Sequence, residues 1–246
     1  MKSRSILIAI LVLAFKGFGD IVDSPQVGLP NSSLGTPFTI DQNVAQSVRY
    51  QQVYGASDFG TVCNQVSCSP HNSPLLITAI SFGGTTNSAA ITAFLPKLQI
   101  DFSTTQKAPD SLSPVFSDNV GANNKVVYSG SWSVASGTLQ LQQPFLYDPS
   151  MGNLLMDVRN FQTTVPNSMG IMRLAAVNTL GDTTSFVAQN DVNATSGITE
   201  TLGLWTRFTV TPVPEPNAAW LLLIGIIPVW LYQRRQKLGI RREPKP

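Results

Sequence analysis

The chain has 246 residues, of which 43% are hydrophobic and 12% are charged, and its formal net charge is +2. The charges are unevenly distributed, because residues 20–216 carry seven cations against thirteen acids, a net charge of −6. That region is long enough for one domain with a substantial core, and its acidity argues against nucleic acid as a partner.

Residues 1–19 have the pattern of a secretory signal peptide. Lys2 and Arg4 form a basic start, and residues 6–15 form an apolar core that is too short for a good transmembrane helix. Cleavage after Gly19 would give a mature chain that starts at Asp20. We therefore expect the Sec export machinery to be a partner of this chain.

Short runs with strand character fill the region between residues 20 and 211. Many of them alternate apolar and polar residues, turn sequences separate them, and no long amphipathic helix is evident. The runs are residues 46–54, 75–82, 98–103, 125–128, 138–142, 154–159, 171–177, 184–188 and 203–210. Residues 111–119 have the character of a short helical turn. The pattern predicts an all-β exported domain over residues 20–211, an antiparallel β-sandwich of the jelly-roll type.

The chain has two cysteines, Cys63 and Cys68, five positions apart. In an oxidising compartment such a pair forms a local disulfide. Two free thiols, or a metal site that recruits His71, are the alternatives. Structural zinc usually takes four protein ligands, and the chain has no other cysteine or histidine to complete the set. The sequence therefore favours a Cys63–Cys68 disulfide and no metal.

Residues suited to catalysis are scarce. A serine hydrolase would need His71 as its base, but no G-x-S-x-G elbow is present. Glycoside hydrolysis needs two close carboxylates, and Glu200 is the only glutamate in residues 20–211. The sequence predicts that the protein is not an enzyme and has no cofactor.

One loop offers oxygen ligands that could suit calcium. They belong to Asp118, Asn119, Asn123 and Asn124, whose spacing is not that of a recognised calcium loop. Turn formation is the favoured interpretation of these side chains.

Aromatic residues on the strands raise carbohydrate binding as an alternative function. Flat rings exposed on a rigid sheet stack on sugars at a low entropic cost. The candidates are Tyr50, Tyr54, Tyr128, Trp132 and Trp205. Bulky rings also fill the core of a sandwich, so the same residues are core candidates.

The C-terminal end has three parts in a fixed order. Pro214-Glu215-Pro216 precedes an uncharged run at residues 218–232, and Arg234-Arg235 follows it. As a helix the run would span about 23 Å, slightly less than a typical membrane core. A buried core helix is the alternative, but the cations that follow favour a transmembrane helix with a cytoplasmic C-terminus.

This arrangement resembles the PEP-CTERM sorting signal of bacteria that secrete extracellular polysaccharide. The resemblance covers residues 212–246 and rests on Pro214-Glu215-Pro216, the apolar run and Arg234-Arg235. It implies recognition by an exosortase-type membrane protease and cleavage near the tripeptide. Segments of the middle region, such as RYQQVYGASDF at residues 49–59, also resemble segments of proteins that carry this signal.

Together these features predict an exported, non-enzymatic protein of the cell surface or extracellular matrix. It would pass through an inner-membrane, single-pass intermediate before an exosortase releases it. One alternative is a carbohydrate-binding module of the exopolysaccharide layer, with extracellular polysaccharide as its partner. Another is a single-pass membrane protein that is never cleaved.

Overall fold

The computed structural model describes residues 19–26, 30–34, 38, 47–64, 66–83, 94–133, 137–162 and 174–213. Within these ranges the fold is all-β, with fifteen strands and no α-helix. No helix of this part of the chain is long and apolar enough to cross a membrane. The predicted signal-peptide core, the tripeptide, the transmembrane run at 218–232 and the arginine pair all lie outside these ranges.

The strands form three antiparallel sheets. Sheet 1 has the order β5-β4-β1-β15-β6-β9, sheet 2 has the order β13-β12-β3-β10-β7-β8, and sheet 3 has the order β14-β11-β2. The bounds are β1 Asp20–Ser24, β2 Ser32–Leu34, β3 Val48–Tyr54, β4 Thr61–Cys63, β5 Cys68–Pro70, β6 Leu75–Phe82, β7 Phe94–Thr105, β8 Lys125–Ser133, β9 Thr138–Tyr147, β10 Asn153–Asn160, β11 Leu174–Val177, β12 Thr184–Gln189, β13 Ile198–Glu200, β14 Gly203–Leu204 and β15 Thr206–Pro212.

Sheets 1 and 2 enclose the main core in a sandwich-like arrangement. Phe208 of β15 lies among rings from other elements, with ring centroids 5.0 Å from Tyr54, 5.3 Å from Phe59 and 6.3 Å from Phe102. These side chains are fully buried. Burial of such large apolar surfaces is the main stabilising contribution to the fold. The predicted all-β class is confirmed.

One side chain joins an edge of sheet 1 to an edge of sheet 2. It bonds to backbone groups of the other edge strand, as a neighbouring strand would. β8 and β9 are edge strands of different sheets, and Gln142 of β9 reaches across to β8. Its Oε1 accepts from the Ser129 N–H at 3.1 Å, and its Nε2 donates to the Ser129 carbonyl at 3.0 Å. The amide therefore satisfies backbone groups that an edge strand would otherwise expose.

A second, smaller core lies on the outer face of sheet 2. It joins three strand residues, Val53, Leu155 and Val187, to Leu112 and Phe116 of the long β7–β8 connection. That connection contains a 3-10 turn at Phe116–Asn119, within the segment predicted to form a helical turn. The connection therefore covers part of the outer face of sheet 2.

Candidate functional site

A groove of about 610 Å³ opens where β7 ends. Thr104 and Thr105 form its floor, the loop at residues 120–123 forms one wall, and the β9–β10 connection forms the other. Leu146 near the end of β9 and Met151 of the second wall also line the groove, and they are 57% and 63% exposed. Exposed apolar surface beside a groove is typical of a binding site.

Close backbone contacts hold the loop wall against β7. A Cβ on Gly121 would lie 1.7 Å from the Thr104 carbonyl oxygen, so only glycine fits at this position. Asn123 Oδ1 accepts from the Thr104 N–H at 2.7 Å, and its Nδ2 donates to Thr104 Oγ1 at 3.0 Å. Asn123 thus acts as a strand partner for the end of β7.

The four oxygen-bearing residues considered for calcium make other contacts. Asn119 Oδ1 accepts from the Ser113 N–H at 2.8 Å, and Asp118 Oδ2 accepts from Ser113 Oγ at 2.9 Å. Asn124 donates from Nδ2 to Asp101 at 3.3 Å. These contacts fold the loop, as the turn interpretation expects. Among the residues with a described placement, no group of three or more His, Cys, Asp or Glu could hold a metal.

The carboxylates that line the groove are each bonded to a nearby serine. Asp118 is bonded to Ser113, and Asp148 Oδ1 accepts from Ser150 N at 2.9 Å and Ser150 Oγ at 2.7 Å. The lining combines these groups with Lys107 and apolar side chains. Such a lining can bind a ligand through hydrogen bonds and apolar contact, but it holds no nucleophile paired with a histidine base.

Cys63 and Cys68 form a disulfide between β4 and β5, with Cα atoms 3.9 Å apart. This pairing is the one that the sequence favours. His71 follows β5, and its Nε2 is buried without a hydrogen-bond partner among the described residues. The backbone N–H of His71 donates to the Gly60 carbonyl at 2.9 Å, which fastens the loop after the disulfide.

The aromatic candidates for sugar binding are divided between the core and the surface. Tyr50 and Tyr54 are fully buried, and Trp132 is 5% exposed. Tyr128 and Trp205 are half-buried. The first three rings are core residues, so they cannot form a sugar-binding surface.

A buried carboxylate lies at the junction of β1 with the 3-10 turn at Ala56–Gly60. Asp58 is 3% exposed, and it accepts hydrogen bonds from Ser24 Oγ and from Thr183 Oγ1 at 2.7 Å. Burial raises the pKa of the Asp58 carboxyl above its usual value, and the hydroxyl donors only partly offset this effect. The ionised form is therefore less favourable in the folded protein than in the unfolded chain.

The Asp58 carboxyl makes stability depend on pH. Because its pKa is raised on folding, its stabilising effect is complete below the usual value of 3.8 and is lost as the pH rises through the folded-state pKa. We expect Asp58→Asn to be less stable than wild type at pH 4. The difference in free energy of unfolding should become smaller as the pH rises to 7. Denaturant unfolding of both proteins at several pH values measures the difference.

Asp191→Asn provides the matched control, because Asp191 is exposed and its Oδ1 only caps a turn at Asn193. Its stability relative to wild type should change much less between pH 4 and pH 7. A difference between wild type and Asp58→Asn that is constant with pH would contradict the assignment to Asp58.

An ionic network that the sequence did not predict lies under the cover of sheet 2. Asp157 is 4% exposed, and its Oδ2 accepts from Arg49 at 3.0 Å and from Gln51 Nε2 at 2.7 Å. Gln51 Oε1 in turn accepts from Asn119 Nδ2 at 3.0 Å. The Arg49 guanidinium also lies 4.5 Å from the centre of the Phe116 ring. The network fixes the covering connection on the sheet.

Comparison with known proteins adds no family to this description. No protein-family model, curated protein or solved structure matches the chain. Function must therefore be argued from the residues of this chain.

Proposed function

We propose that this chain is an exported, non-enzymatic protein of the cell surface or extracellular matrix. In this proposal an exosortase-type membrane protease recognises Pro214-Glu215-Pro216, with residues 218–232 as a transient inner-membrane anchor. The three-part order of the C-terminal sequence carries the proposal. The arginine pair Arg234-Arg235 would keep the end of the anchor in the cytoplasm.

The ends of the folded region support this proposal. β1 begins at Asp20, next to the predicted signal peptide, and β15 ends at Pro212, next to the tripeptide. The Val213 N–H donates to the Pro74 carbonyl at 3.0 Å, so the described fold is hydrogen-bonded up to the residue before the tripeptide. The disulfide between Cys63 and Cys68 fits an oxidising compartment.

The pairing of the long strands supports a jelly-roll assignment for the domain. β1 pairs with β15, β3 with β10, β6 with β9, and β7 with β8. These pairs are nested in sequence and alternate between sheets 1 and 2. A long antiparallel hairpin that is rolled into two sheets has this order. In this proposal β2, β4, β5 and β11–β14 are additions to the eight-stranded roll.

Processing can be tested by the intact mass of the protein released from the producing cells. We expect wild-type material to end near residues 213–217. Replacement of Pro214, Glu215 and Pro216 by alanine should leave full-length protein in the membrane fraction, because the protease recognition segment is lost. Thr211→Ala is the control, since Thr211 is exposed on β15, upstream of the tripeptide.

Two results would contradict the proposal. Full-length wild-type protein found only in membranes would favour the uncleaved single-pass anchor instead. Release of the triple-alanine variant at the same position as wild type would exclude the tripeptide as the recognition element.

The second candidate function is a carbohydrate-binding module of the exopolysaccharide layer. The open groove at the end of β7 favours it, because hydrogen-bonding groups and apolar surface line the same concave surface.

A further inference from the structure

A row of polar side chains crosses the outer face of sheet 2 at the margin of its apolar cover, where Arg49 lies against Phe116. Backbone register places Gln189 of β12 opposite Arg49 of β3, Arg49 opposite Arg159 of β10, and Arg159 opposite Gln99 of β7. The four residues therefore lie in one line, one on each of four neighbouring strands. The apolar cover begins on the other side of the ionic network, at Val53 and neighbouring residues.

The two arginines in this row differ in their partners. Arg49 donates to Asp157 at 3.0 Å and to the Ala194 carbonyl at 3.0 Å. Arg159 is half-buried and forms no ion pair or hydrogen bond with any residue whose placement is described. Like charges directly opposite each other on neighbouring strands are destabilising. Arg159 therefore adds a positive charge to the row that no carboxylate with a described placement pairs with.

Lys97 adds a further cation beside the row. It is exposed, and its Nζ lies 4.4 Å from the centre of the Phe161 ring. Phe161 directly follows β10, and its N–H donates to the Lys97 carbonyl at 3.1 Å. Lys97 and Gln99 alternate with the buried Leu98, so both face outward.

Two nearby carboxylates compensate for only part of this positive charge. Asp157 receives its hydrogen bonds on Oδ2, from Arg49 and Gln51, and its Oδ1 is buried. Asp101 is 6% exposed and accepts from Gln99 at 2.9 Å and from Asn124 at 3.3 Å. Arg49, Arg159 and Lys97 outnumber these two carboxylates by one charge, so this part of the surface is positive, although residues 20–216 have a net charge of −6.

We propose that Arg159 and Lys97, flanked by Gln99 and Gln189, bind the carboxylate groups of an acidic polysaccharide. A guanidinium binds a carboxylate through two parallel hydrogen bonds. Gln99 Nε2 already donates to Asp101 and Gln189 Oε1 accepts from the Asn190 N–H, but each amide has further donor and acceptor positions for sugar hydroxyls. The row crosses several strands, so an extended polymer can follow it. Single-stranded nucleic acid is another polyanion, and its weaker binding is part of the test. The proposal goes beyond export and does not depend on processing at Pro214-Glu215-Pro216.

Titration of the purified full chain with polygalacturonate in low-salt buffer tests the site. We expect wild type to bind and neutral dextran to give no signal. Arg159→Gln should weaken binding about tenfold, because a hydrogen bond to a charged group is lost. Lys97→Gln should also weaken it, and added salt should weaken wild-type binding. Unchanged thermal melting of both variants shows that they remain folded.

Lys125→Gln is the matched control for net charge. Lys125 is exposed on β8, and its Nζ donates to the Pro144 carbonyl at 3.0 Å, away from the row. This variant should bind polygalacturonate as wild type does. The proposal is overturned if wild type does not bind, if Lys125→Gln loses as much affinity as Arg159→Gln, or if a single-stranded oligonucleotide binds as tightly as polygalacturonate.

Discussion

Arg49→Met is expected to destabilise the protein by about 3 to 5 kcal/mol, the usual result of removing one partner from a buried ion pair. The variant leaves the Asp157 carboxylate buried with only the amide of Gln51 as a partner. It also removes the contact of the guanidinium with the Phe116 ring. Urea unfolding of wild type and variant measures the loss.

Arg207→Met is the control, because Arg207 forms the other ion pair recorded among the described residues. It contacts Asp23 at 2.7 Å, but the two side chains are 42% and 31% exposed. Both side chains are half-buried and in contact with water, and pairs in contact with water contribute about 1 kcal/mol or less, so this variant should lose less stability than Arg49→Met. Equal losses in the two variants would contradict the argument from burial.

A double variant separates the cost of the unpaired charge from the value of the pair. Arg49→Met with Asp157→Leu removes both charges, and apolar replacement of a buried pair is often nearly neutral. We expect the double variant to be more stable than Arg49→Met alone. Additive losses would mean that the two residues act independently.

The sequence predicts the long strands well because their side chains alternate. In β15 and the residues before it, Leu204, Thr206, Phe208 and Val210 are buried, while Trp205, Arg207 and Thr209 are half-buried, as the pattern predicts. All nine predicted runs overlap strands. By contrast, β2, β4, β5 and β13 have three residues each. So few positions cannot show a period, and backbone pairing with distant strands decides their structure.

The polar sites could not be predicted because they depend on contacts between distant segments. Arg49, Gln51 and Asp157 are polar positions of alternating strands, a pattern that indicates a face in contact with water. Phe116 covers them, and its carbonyl accepts from Gln51 Nε2 across 65 positions of sequence. Similarly, the spacing of Tyr50 and Tyr54 shows that they share a face of β3, but the sequence of one strand does not show that this face is buried in the core.

Gln52→Met is expected to destabilise the protein by about 3 to 5 kcal/mol, because two or three buried polar groups lose their partners. Gln52 is fully buried, and its Nε2 donates to the Leu204 carbonyl at 2.9 Å. Its Oε1 accepts from the Leu204 N–H at 2.8 Å and from the Tyr50 hydroxyl. Methionine has a similar size but can replace none of these bonds. Chemical denaturation at neutral pH measures the loss.

Gln140→Met is the control, since Gln140 is exposed on β9. A surface substitution of this kind changes stability by about 0.5 kcal/mol or less. If Gln52→Met changed the stability as little as Gln140→Met, the amide of Gln52 would not be what joins sheet 2 to sheet 3. The expected large loss has a structural meaning, because Gln52 belongs to sheet 2 and Leu204 to sheet 3. The buried amide of Gln52 then helps to fix the position of the short third sheet, together with the Ala175 N–H, which donates to the Gly83 carbonyl at 2.7 Å.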